Sequence, residues 1–424
     1  MTACMASVTQ EFVGYLFQKA SQVTDGIRSK AEACQQDYVP VAIAGAAKNR
    51  RHWNPLLQRM PDGKAELLGY DKKTDGKTAA LVNGFNAHAL ELDDGHRYAM
   101  IHLGSPIISA IKAASDENEI SEDNFLLGII VGYEAATRTA LAVQPSHKNR
   151  GYHAAGTCGT IGAAIGVAFA LGMNRIQMNR VLTCAAGNAA GLLEMQEQNS
   201  ELKPYNVGRA AMDGLTAAYM GLTDYETPDD MLGGERGFFR AFSEDFSLEK
   251  LVGATDYFEI ERIYVKPYVS CRHCHSAIEA AIKLHKGLDI GQIDRVEVKT
   301  YKLAMKGHDH TDIQGVASAK LSIPYSVAAG LLYGRADLTV FDPLDEKAVA
   351  LAKKVAVLED TEMTVLCPQR RVAVVTVYLK DGTTQSRRVD FPKGEPENPM
   401  TDEEMAAKRD YLLKFAGNQI INNC

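Results

Sequence analysis

The stretch that decides the fold is IDRVEVKTYK, residues 293–302, because the periodicity of the chain changes there. Ile293, Val296 and Val298 are apolar, and the residues between and after them are mostly charged or polar. This alternation is typical of a β-strand that buries one face. The segment therefore predicts a sheet in the last third of the chain.

A second stretch extends the sheet. Residues 370–391, RRVAVVTVYLKDGTTQSRRVDF, alternate in the same way, and Asp381-Gly382 is typical of a hairpin turn. Between the two stretches, residues 346–360, EKAVALAKKVAVLED, have helical periodicity. We therefore predict an α+β unit over residues 267–395.

Strand-like alternation is nearly absent upstream of this unit, where apolar residues recur at helical spacing. We predict a mainly α protein: a large all-helical domain over residues 1–266, a smaller α+β lid over 267–395, and a final helix in 396–424 that returns to the first domain. The predicted helices cover residues 9–20, 77–92, 106–114, 122–143, 156–171, 175–191, 209–221, 276–285 and 401–421.

Glycine is frequent in the predicted helices, as in TCGTIGAAIGVAFALG, residues 157–172. Glycine destabilises a helix by about 1 kcal/mol relative to alanine. Its repeated use predicts helices whose backbones pack closely together. A nucleotide-binding loop is disfavoured, because these glycines do not follow a predicted strand and the phosphate-loop motif is missing. Residues 391–404, FPKGEPENPMTDEE, are the one candidate linker.

Composition limits the classes of partner. The chain has 424 residues, 46% of them hydrophobic, and a formal charge of −7. This balance gives no overall attraction to nucleic acid or to an anionic membrane, so any positive site must be local. No signal peptide or apolar run of transmembrane length is apparent. We expect a cytoplasmic protein whose eight cysteines are reduced.

A basic turn stands out against the acidic background: KPYVSCRHCHSAIEAAI, residues 266–282. The Cys271-x-x-Cys274 spacing fits half of a zinc site or a redox motif that opens a helix. The basic side chains instead fit a carboxylate pocket, because a helix N-terminus adds free N–H groups and a positive dipole end. An ordinary solvated turn is the fourth alternative. The basic side chains are Lys266, Arg272, His273 and His275.

Three other segments carry candidate chemistry. In residues 81–106, LVNGFNAHALELDDGHRYAMIHLGSP, Asp93 and Asp94 end a predicted helix, which is unfavourable for carboxylates. Nearby histidines, including His102, make a metal site and acid–base catalysis equally compatible with this segment. His153 in RGYHAAGTCGTIG and Lys203 in QNSELKPYNVGRAAMDG each precede a predicted helix.

Taken together, NGFNAHALELDD with the downstream His102, RGYHAAGTCGTIGAA, LKPYNVGRAAMDG and KPYVSCRHCHSAIEA resemble the MmgE/PrpD family in order and spacing. The likeness covers about residues 10–420. It implies a helical domain with a lid, a homodimer, and a site between the domains that needs no metal or organic cofactor. It also implies a small di- or tricarboxylate substrate for dehydration, decarboxylation or epimerisation.

The resemblance implies roles for individual residues and favours the cationic-pocket interpretation of the basic turn. By this resemblance, a tyrosine of the family corresponds to Tyr325, in LSIPYSVAAGLL. The implied catalytic residues are Asp93, Asp94, His102, His153 and Tyr325. The implied substrate-binding residues are Lys203, Lys266, Cys271, Arg272, His273 and His275, with no metal ligand. Replacing Lys266 with methionine is expected to abolish turnover and leave the fold intact.

We expect a cofactor-independent dehydratase of the 2-methylcitrate type, with an epimerase of the iminodisuccinate type or a cis-aconitate-type decarboxylase as alternatives. A carboxylate-binding protein without activity and a metalloprotein are the rivals from other classes. Two departures matter: many family members have Asp-Asp-Thr and then His-Pro, where this chain has Gly95 and Leu103. The chain is also shorter than the methylcitrate dehydratases, and its length is closer to the epimerase branch.

Overall fold

A computed structural model describes residues 6–422 of the chain. Residues 1–5 and 423–424, at the outer ends of the first and last predicted segments, lie outside the described residues. The predicted class is confirmed, since helices dominate and a four-stranded sheet lies in the C-terminal part. The first-domain helices are α1 (Val8–Ala20), α2 (Asp25–Leu57), α3 (Gly76–Ala89), α4 (Gly104–Glu117), α5 (Glu122–Val143), α6 (Ser146–Asn149), α7 (Ala154–Ala170), α8 (Arg175–Asn188), α9 (Lys203–Met220), α10 (Phe238–Phe242) and α11 (Leu248–Val252).

Glycines allow the central helices to approach closely, as their frequency predicts. A Cβ atom at Gly128 of α5 would lie 2.6 Å from the carbonyl oxygen of Gly166 in α7. One at Gly84 of α3 would lie 3.0 Å from the Cα atom of Gly208 in α9. Side chains at these positions would separate the helices, so the glycines fix the distance between the elements that carry the site.

Helix α5 contradicts the expectation that the chain has no apolar run of transmembrane length. By length and composition it could cross a membrane, alone among the helices that the structure describes. However, 89% of its apolar 18-residue window is buried inside the protein. A core helix gives the same signal as a membrane span, because both bury apolar side chains on every side.

The longest helix, α2, lies where the sequence predicted no helix. It runs through Pro40 and Pro55, whose rings remove backbone donors and ordinarily interrupt a helix. Burial of its apolar face outweighs this local preference, since Ala31, Tyr38 and Ala42 lie in the core of the helical domain.

Four short strands also occur in the helical domain: β1 (Ala65–Glu66), β2 (Lys73–Thr74), β3 (Gly95–His96) and β4 (Ile263–Tyr264).

The lid consists of helices packed on the four-stranded sheet, whose strand order is β6-β5-β7-β8. Strands β5 and β6 are parallel, and the other two pairings are antiparallel. Gly382 closes the predicted hairpin with φ of +86°, which glycine adopts readily. The lid elements are α12 (His275–His285), β5 (Ile293–Thr300), α13 (Lys302–Met305), α14 (Val316–Lys320), α15 (Ile323–Tyr333), α16 (Leu338–Phe341), α17 (Glu346–Ala352), β6 (Val355–Glu359), α18 (Thr361–Leu366), β7 (Ala373–Leu379) and β8 (Thr384–Val389).

Two predictions about the lid and its exit need correction. The single helix predicted over residues 346–360 ends at Ala352, and Val355–Glu359 pair with β5 as a strand. The candidate linker 391–404 is a packed turn rather than a linker, because Glu395 is 1% exposed and the Val265 N–H donates to the Gly394 carbonyl at 2.9 Å. This turn fastens the lid to the helical domain.

The final helix, α19 (Asp402–Asn422), packs against α2. Lys408 on α19 donates to Asp37 at 2.6 Å and to the Leu92 carbonyl at 3.0 Å. Leu412 of α19 is completely buried and belongs to the apolar core that the lid shares with Leu90 and Leu92. The helix therefore contacts both the helical domain and the lid.

Candidate active site

A cavity of about 90 Å³ lies between the helical domain and the lid, and we call it the interdomain cavity. Six of the predicted site residues line it: His102, His153, Lys203, Cys271, Arg272 and His273. Lining residues that the sequence analysis did not single out include Lys148, Tyr264, His308 and Arg371. The described residues that line the cavity include four cations and four histidines but no carboxylate.

A larger cleft of about 620 Å³ adjoins the interdomain cavity. The two share Lys148, Leu193, Gln196 and His308. The cleft runs between the loop that precedes α9 and the lid loop that joins α13 to α14. It offers a small polar molecule a path from the surface to the cavity.

Asp93 is the centre of a buried hydrogen-bonded cluster behind the cavity. His88 Nδ1 lies 2.7 Å from Asp93 Oδ2, and the Ser105 hydroxyl donates to the same oxygen at 2.9 Å. Lys266 Nζ lies 3.6 Å from Asp93 Oδ1. Burial opposes the charge of Asp93, but His102, His88 and Lys266 together outweigh burial, and the pKa of Asp93 falls below its ordinary value. Asp93 is therefore an ionised positioning group.

Glu91, which was not predicted as a site residue, neutralises Lys203 and Lys266, the two lysines predicted to bind the substrate. Lys266 donates to Glu91 Oε2 at 2.8 Å, and Lys203 forms an ion pair with Glu91 Oε1. Burial opposes the charge of Glu91, but the two lysines lower its pKa well below the ordinary value. Its φ of 55° is uncommon for a residue with a side chain and places it where α3 ends.

Because Lys266 is fully buried and paired, its expected role changes. Burial lowers the pKa of Lys266, but Glu91 and Asp93 raise it more, and the net shift is upward. The lysine is thus a fixed charge inside the protein framework. The expectation that Lys266→Met leaves the fold intact conflicts with this geometry, since that variant would bury Glu91 without this partner.

Asp94 corrects the prediction that the two aspartates end a helix. Helix α3 ends at Ala89, before the two aspartates, and the Asp94 side chain lies instead at the N-terminus of helix α4. Its Oδ1 accepts from the backbone N–H of Gly104, at the start of α4, at 2.8 Å, and its Oδ2 accepts from the Tyr133 hydroxyl at 2.6 Å. A carboxylate is favourable at a helix N-terminus. Burial nevertheless raises the pKa of Asp94 to about 6.

The two cavity histidines of the helical domain are neutral. His102 Nδ1 lies 2.7 Å from the Asp94 carbonyl oxygen, which can only accept, so Nδ1 carries the hydrogen and Nε2 keeps a lone pair. Burial lowers the pKa of His102 to about 3. Burial and the nearby Lys203 hold the pKa of His153 well below its ordinary value. His153 Nδ1 has no hydrogen-bond partner among the described residues.

Two members of the basic turn have structural partners that the sequence did not reveal. Arg272 donates to Glu395 at 2.9 and 3.1 Å and to the carbonyl oxygen of Lys393 at 3.1 Å. His275 lies outside the cavity wall, with Nδ1 2.9 Å from Arg272 and Nε2 3.1 Å from the Ser270 carbonyl oxygen. These contacts hold the turn to the rest of the lid. The predicted substrate-binding role of His275 therefore needs correction, whereas that of Arg272, which lines the cavity, stays a prediction.

Cys271 and His273 of the same turn also line the cavity. His273 Nδ1 lies 2.7 Å from the Tyr301 hydroxyl. Cys271 Sγ lies 3.6 Å from Nε2 of His308, a residue of the loop between α13 and α14. Cys274, by contrast, is completely buried in the lid core. The two cysteines of the C-x-x-C spacing thus lie in different environments.

Tyr325 lies outside the cavity wall. Its hydroxyl donates to the Val340 carbonyl at 2.7 Å and accepts from the Asp345 N–H at 3.1 Å, within the lid. The prediction of Tyr325 as an acid for the substrate therefore needs correction. Two tyrosines line the described part of the cavity wall, Tyr152 and Tyr264, and Tyr264 lies opposite Gly95 in the β3–β4 pair. A Cβ at Gly95 would collide with the Tyr264 hydroxyl, which explains why this chain has no threonine there.

Two cations in the wall form no direct ion pair within the described residues, although Glu395 lies close enough to Arg371 that each shifts the pKa of the other. Lys148 of α6 and Arg371, just before β7, form no ion pair with any carboxylate that the structure describes. Arg371 is 5% exposed and donates to the Arg97 carbonyl at 2.8 Å, while its Nε has no partner among the described residues. An anion that entered the cavity would supply the missing counter-charge.

A metal-ligating group also occurs next to the cavity. Ligand atoms of His88, Asp93 and His102 lie within 4.8 Å of one another. However, His102 Nδ1 already donates to a carbonyl, and Lys266 places a positive charge beside Asp93. Both features favour a proton-transfer cluster over a cation site.

Comparison with protein families identifies both parts of the chain. The MmgE/PrpD N-terminal domain matches residues 15–251, and the MmgE/PrpD C-terminal domain matches residues 268–419. The chain belongs to the MmgE/PrpD family. The resemblance expected from the four sequence segments is thereby confirmed.

Several similar proteins in this family have named activities. A cis-aconitate decarboxylase-like protein, oryM, of Aspergillus oryzae is 27% identical over 95% of this chain and 89% of its own length. Cis-aconitate decarboxylase of Aspergillus terreus is 26% identical over 95% of this chain and 88% of its own. Cis-aconitate decarboxylase of Mus musculus is 22% identical over 95% of this chain and 86% of its own.

Proposed function

We propose that this MmgE/PrpD protein is a lyase that removes a carboxyl group from a small polycarboxylic acid of the cis-aconitate class. The observation that carries the proposal is the pair of cations without a direct ion-pair partner among the described residues, Lys148 and Arg371, in a cavity whose described lining residues include no carboxylate. A charge-assisted hydrogen bond is stronger where water is excluded, so such a cavity favours anions. The named activity of the similar Aspergillus and mouse proteins supports decarboxylation as the reaction.

The cavity offers what this reaction requires. When a carboxylate leaves as CO₂, its bonding pair moves to the neighbouring carbon and is delocalised into a conjugated carboxylate. The charges of Arg371 and Lys148 stabilise that developing charge. The carbon then takes a proton, and the Tyr264 hydroxyl is a candidate donor because it lines the cavity and is protonated at neutral pH. Burial raises its pKa to about 12, so it can donate only to a strongly basic carbon such as this one.

Dehydration, the first expectation from the sequence, is the second candidate. It begins with removal of a proton next to a carboxylate, as epimerisation also does. The neutral state of His102, with a free lone pair on Nε2, favours proton removal. In the dehydration reaction His102 and His153 are the bases, and Asp94 positions His102 through its backbone carbonyl.

The homodimer and the cytoplasmic location remain predictions.

Proton NMR in D₂O distinguishes these reactions. The purified protein is incubated with cis-aconitate, 2-methylcitrate, citrate and an N-substituted aspartate. We expect a vinyl product one carbon shorter than cis-aconitate. A vinyl product that keeps the whole carbon skeleton would replace decarboxylation by dehydration, and loss of a Cα–H signal without a new skeleton would replace it by epimerisation.

A pair of arginine variants ties the reaction to the cavity. Arg371→Met should reduce turnover, whereas Arg387→Met, an exposed arginine on β8 of the same sheet, should not. Line broadening without any reaction would favour a carboxylate-binding protein without activity. No spectral change with any of the acids would overturn the polycarboxylate proposal.

A further inference from the structure

The arrangement around Cys271 is that of an activated thiol. His308 Nδ1 lies 2.8 Å from the Leu321 carbonyl oxygen, which can only accept, so Nδ1 carries a hydrogen. The lone pair or second proton of Nε2 is therefore directed at Cys271 Sγ, 3.6 Å away. A thiol, a base and a third group that orients the base form the arrangement by which proteins activate cysteine nucleophiles.

The surroundings of the thiol are both accessible and cationic. Cys271 lines the interdomain cavity and keeps part of its surface exposed. Arg371 lines the same cavity, and its Nε lacks a partner among the described residues although the side chain is 95% buried. An electrophile that carries a carboxylate would find its counter-charge beside the nucleophile.

We propose that Cys271 is a covalent modification site selective for soft electrophiles that carry a carboxylate, with His308 as its base and Arg371 and Lys148 as the groups that attract the reagent. This proposal needs no substrate and is independent of the function proposed above. With iodoacetate, the Cys271 thiolate attacks the methylene carbon, the new C–S bond forms, and the C–I bond breaks. Iodide leaves with the bonding pair, and the thiol proton stays on His308.

The electrostatics of the pair agree with this geometry. Burial raises the pKa of the Cys271 thiol, but His308 outweighs burial and lowers the pKa to about 6. Burial lowers the pKa of His308, whereas Cys271 raises it, with a net upward shift. Other titratable groups that act on the thiol or respond to it are Glu91, Lys148, Lys203, Cys274 and Tyr301.

The test is alkylation of the whole protein with iodoacetate or iodoacetamide at pH 6 and pH 7, followed by peptide mass spectrometry. Cys184 is the internal control, because it is also partly exposed and burial raises its pKa. We expect Cys271 to be alkylated before Cys184 at pH 6. We also expect iodoacetate to modify Cys271 faster than iodoacetamide, the reverse of the order at an uncharged surface.

Two variants test the two parts of the proposal separately. Without His308, burial holds the pKa of the thiol at or above its ordinary value of 9 instead of about 6. A lower pKa gives more thiolate but a weaker nucleophile, so His308→Gln should slow both reagents, by at least about 20-fold at pH 6 and about fourfold at pH 7. Arg371→Met should reduce the preference for iodoacetate, since only Lys148 then attracts the reagent, and leave the iodoacetamide rate within about twofold. Arg387→Met should change neither rate.

Wild-type protein alone can overturn the proposal, so poor folding of a variant leaves it testable. Equal rates for Cys271 and Cys184 at pH 6 would mean that His308 does not activate the thiol. A faster reaction of Cys271 with iodoacetamide than with iodoacetate would mean that the cavity does not attract the carboxylate.

Discussion

The cations around the interdomain cavity fall into two groups that differ in what neutralises them. Lys203 and Lys266 pair with Glu91, and Arg272 pairs with Glu395. Lys148 and Arg371 pair with no carboxylate that the structure describes. The first group belongs to recognisable sequence motifs, and the second does not. Charge in a motif therefore does not by itself identify the groups that are available to a ligand.

The difference has a physical cause. A fully buried ammonium such as that of Lys266 is compatible with folding when carboxylates and hydrogen bonds surround it. Arg371 is nearly as buried, but among the described residues its guanidinium donates to one backbone carbonyl and forms no direct ion pair, while Glu395 acts on it only at longer range. Its charge is therefore less completely compensated than that of Lys266. A bound anion would offset this cost, and ligand binding should then stabilise the folded protein. We therefore expect the paired cations to stabilise the framework and the unpaired cations to contact the substrate.

The largest expected effect comes from breaking the paired group. Lys266→Met should lower the free energy of unfolding by about 3–5 kcal/mol, because it buries Glu91 and Asp93 without this counter-charge. Lys112 is a matched control, since it also pairs with two carboxylates, Glu66 and Asp116, but with 22% of its side chain exposed. Lys112→Met should cost less than about 1 kcal/mol. Urea unfolding of the three proteins measures both values.

Equal losses in the two lysine variants would contradict the assignment of Lys266 to the framework. A folded Lys266→Met protein of normal stability that lacks turnover would instead restore the role expected from the sequence, in which Lys266 contacts the substrate.

The second effect concerns the unpaired group. Arg371→Met should weaken binding of the carboxylate substrate by about 1.5–3 kcal/mol, or roughly 10- to 150-fold in kcat/KM. The stability of the protein without substrate should change far less than in Lys266→Met. The Arg387→Met variant, measured in parallel, is the control. A loss of stability in Arg371→Met without a loss of kcat/KM would assign Arg371 to the framework and contradict the division of the cations into two groups.

More of the fold than of the site could be predicted from the sequence. Periodicity alone distinguishes the helical part from the sheet, because buried helices and half-buried strands repeat apolar residues differently. It fails at Val355–Glu359, where a short apolar run continues directly from helix α17 and has no alternation of its own. It also fails at α2, because two prolines outweigh its weak apolar periodicity in any local assessment.

The site could be predicted only where its residues share a motif. His102, His153 and Cys271 lie in the cavity wall as expected. Glu91 had a signal, since it stands in the acidic run Glu91-Leu92-Asp93-Asp94. His308 and Arg371 had none: they come from separate lid segments, and tertiary packing alone brings them to the same cavity.

The smallest expected effect is the loss of kcat/KM on replacing Lys148. The salt dependence of this loss tests whether the charge acts on the substrate through solvent. It is partly exposed on the short helix α6, so salt screens its charge more than that of Arg371. Lys148→Met should reduce kcat/KM by roughly 2- to 10-fold at low salt and by less as the salt concentration rises. Lys77→Met, an exposed lysine in the first turn of α3, is the control and should change neither value. A loss that is independent of salt would mean that Lys148 contacts the substrate directly in the water-excluded cavity, as Arg371 does.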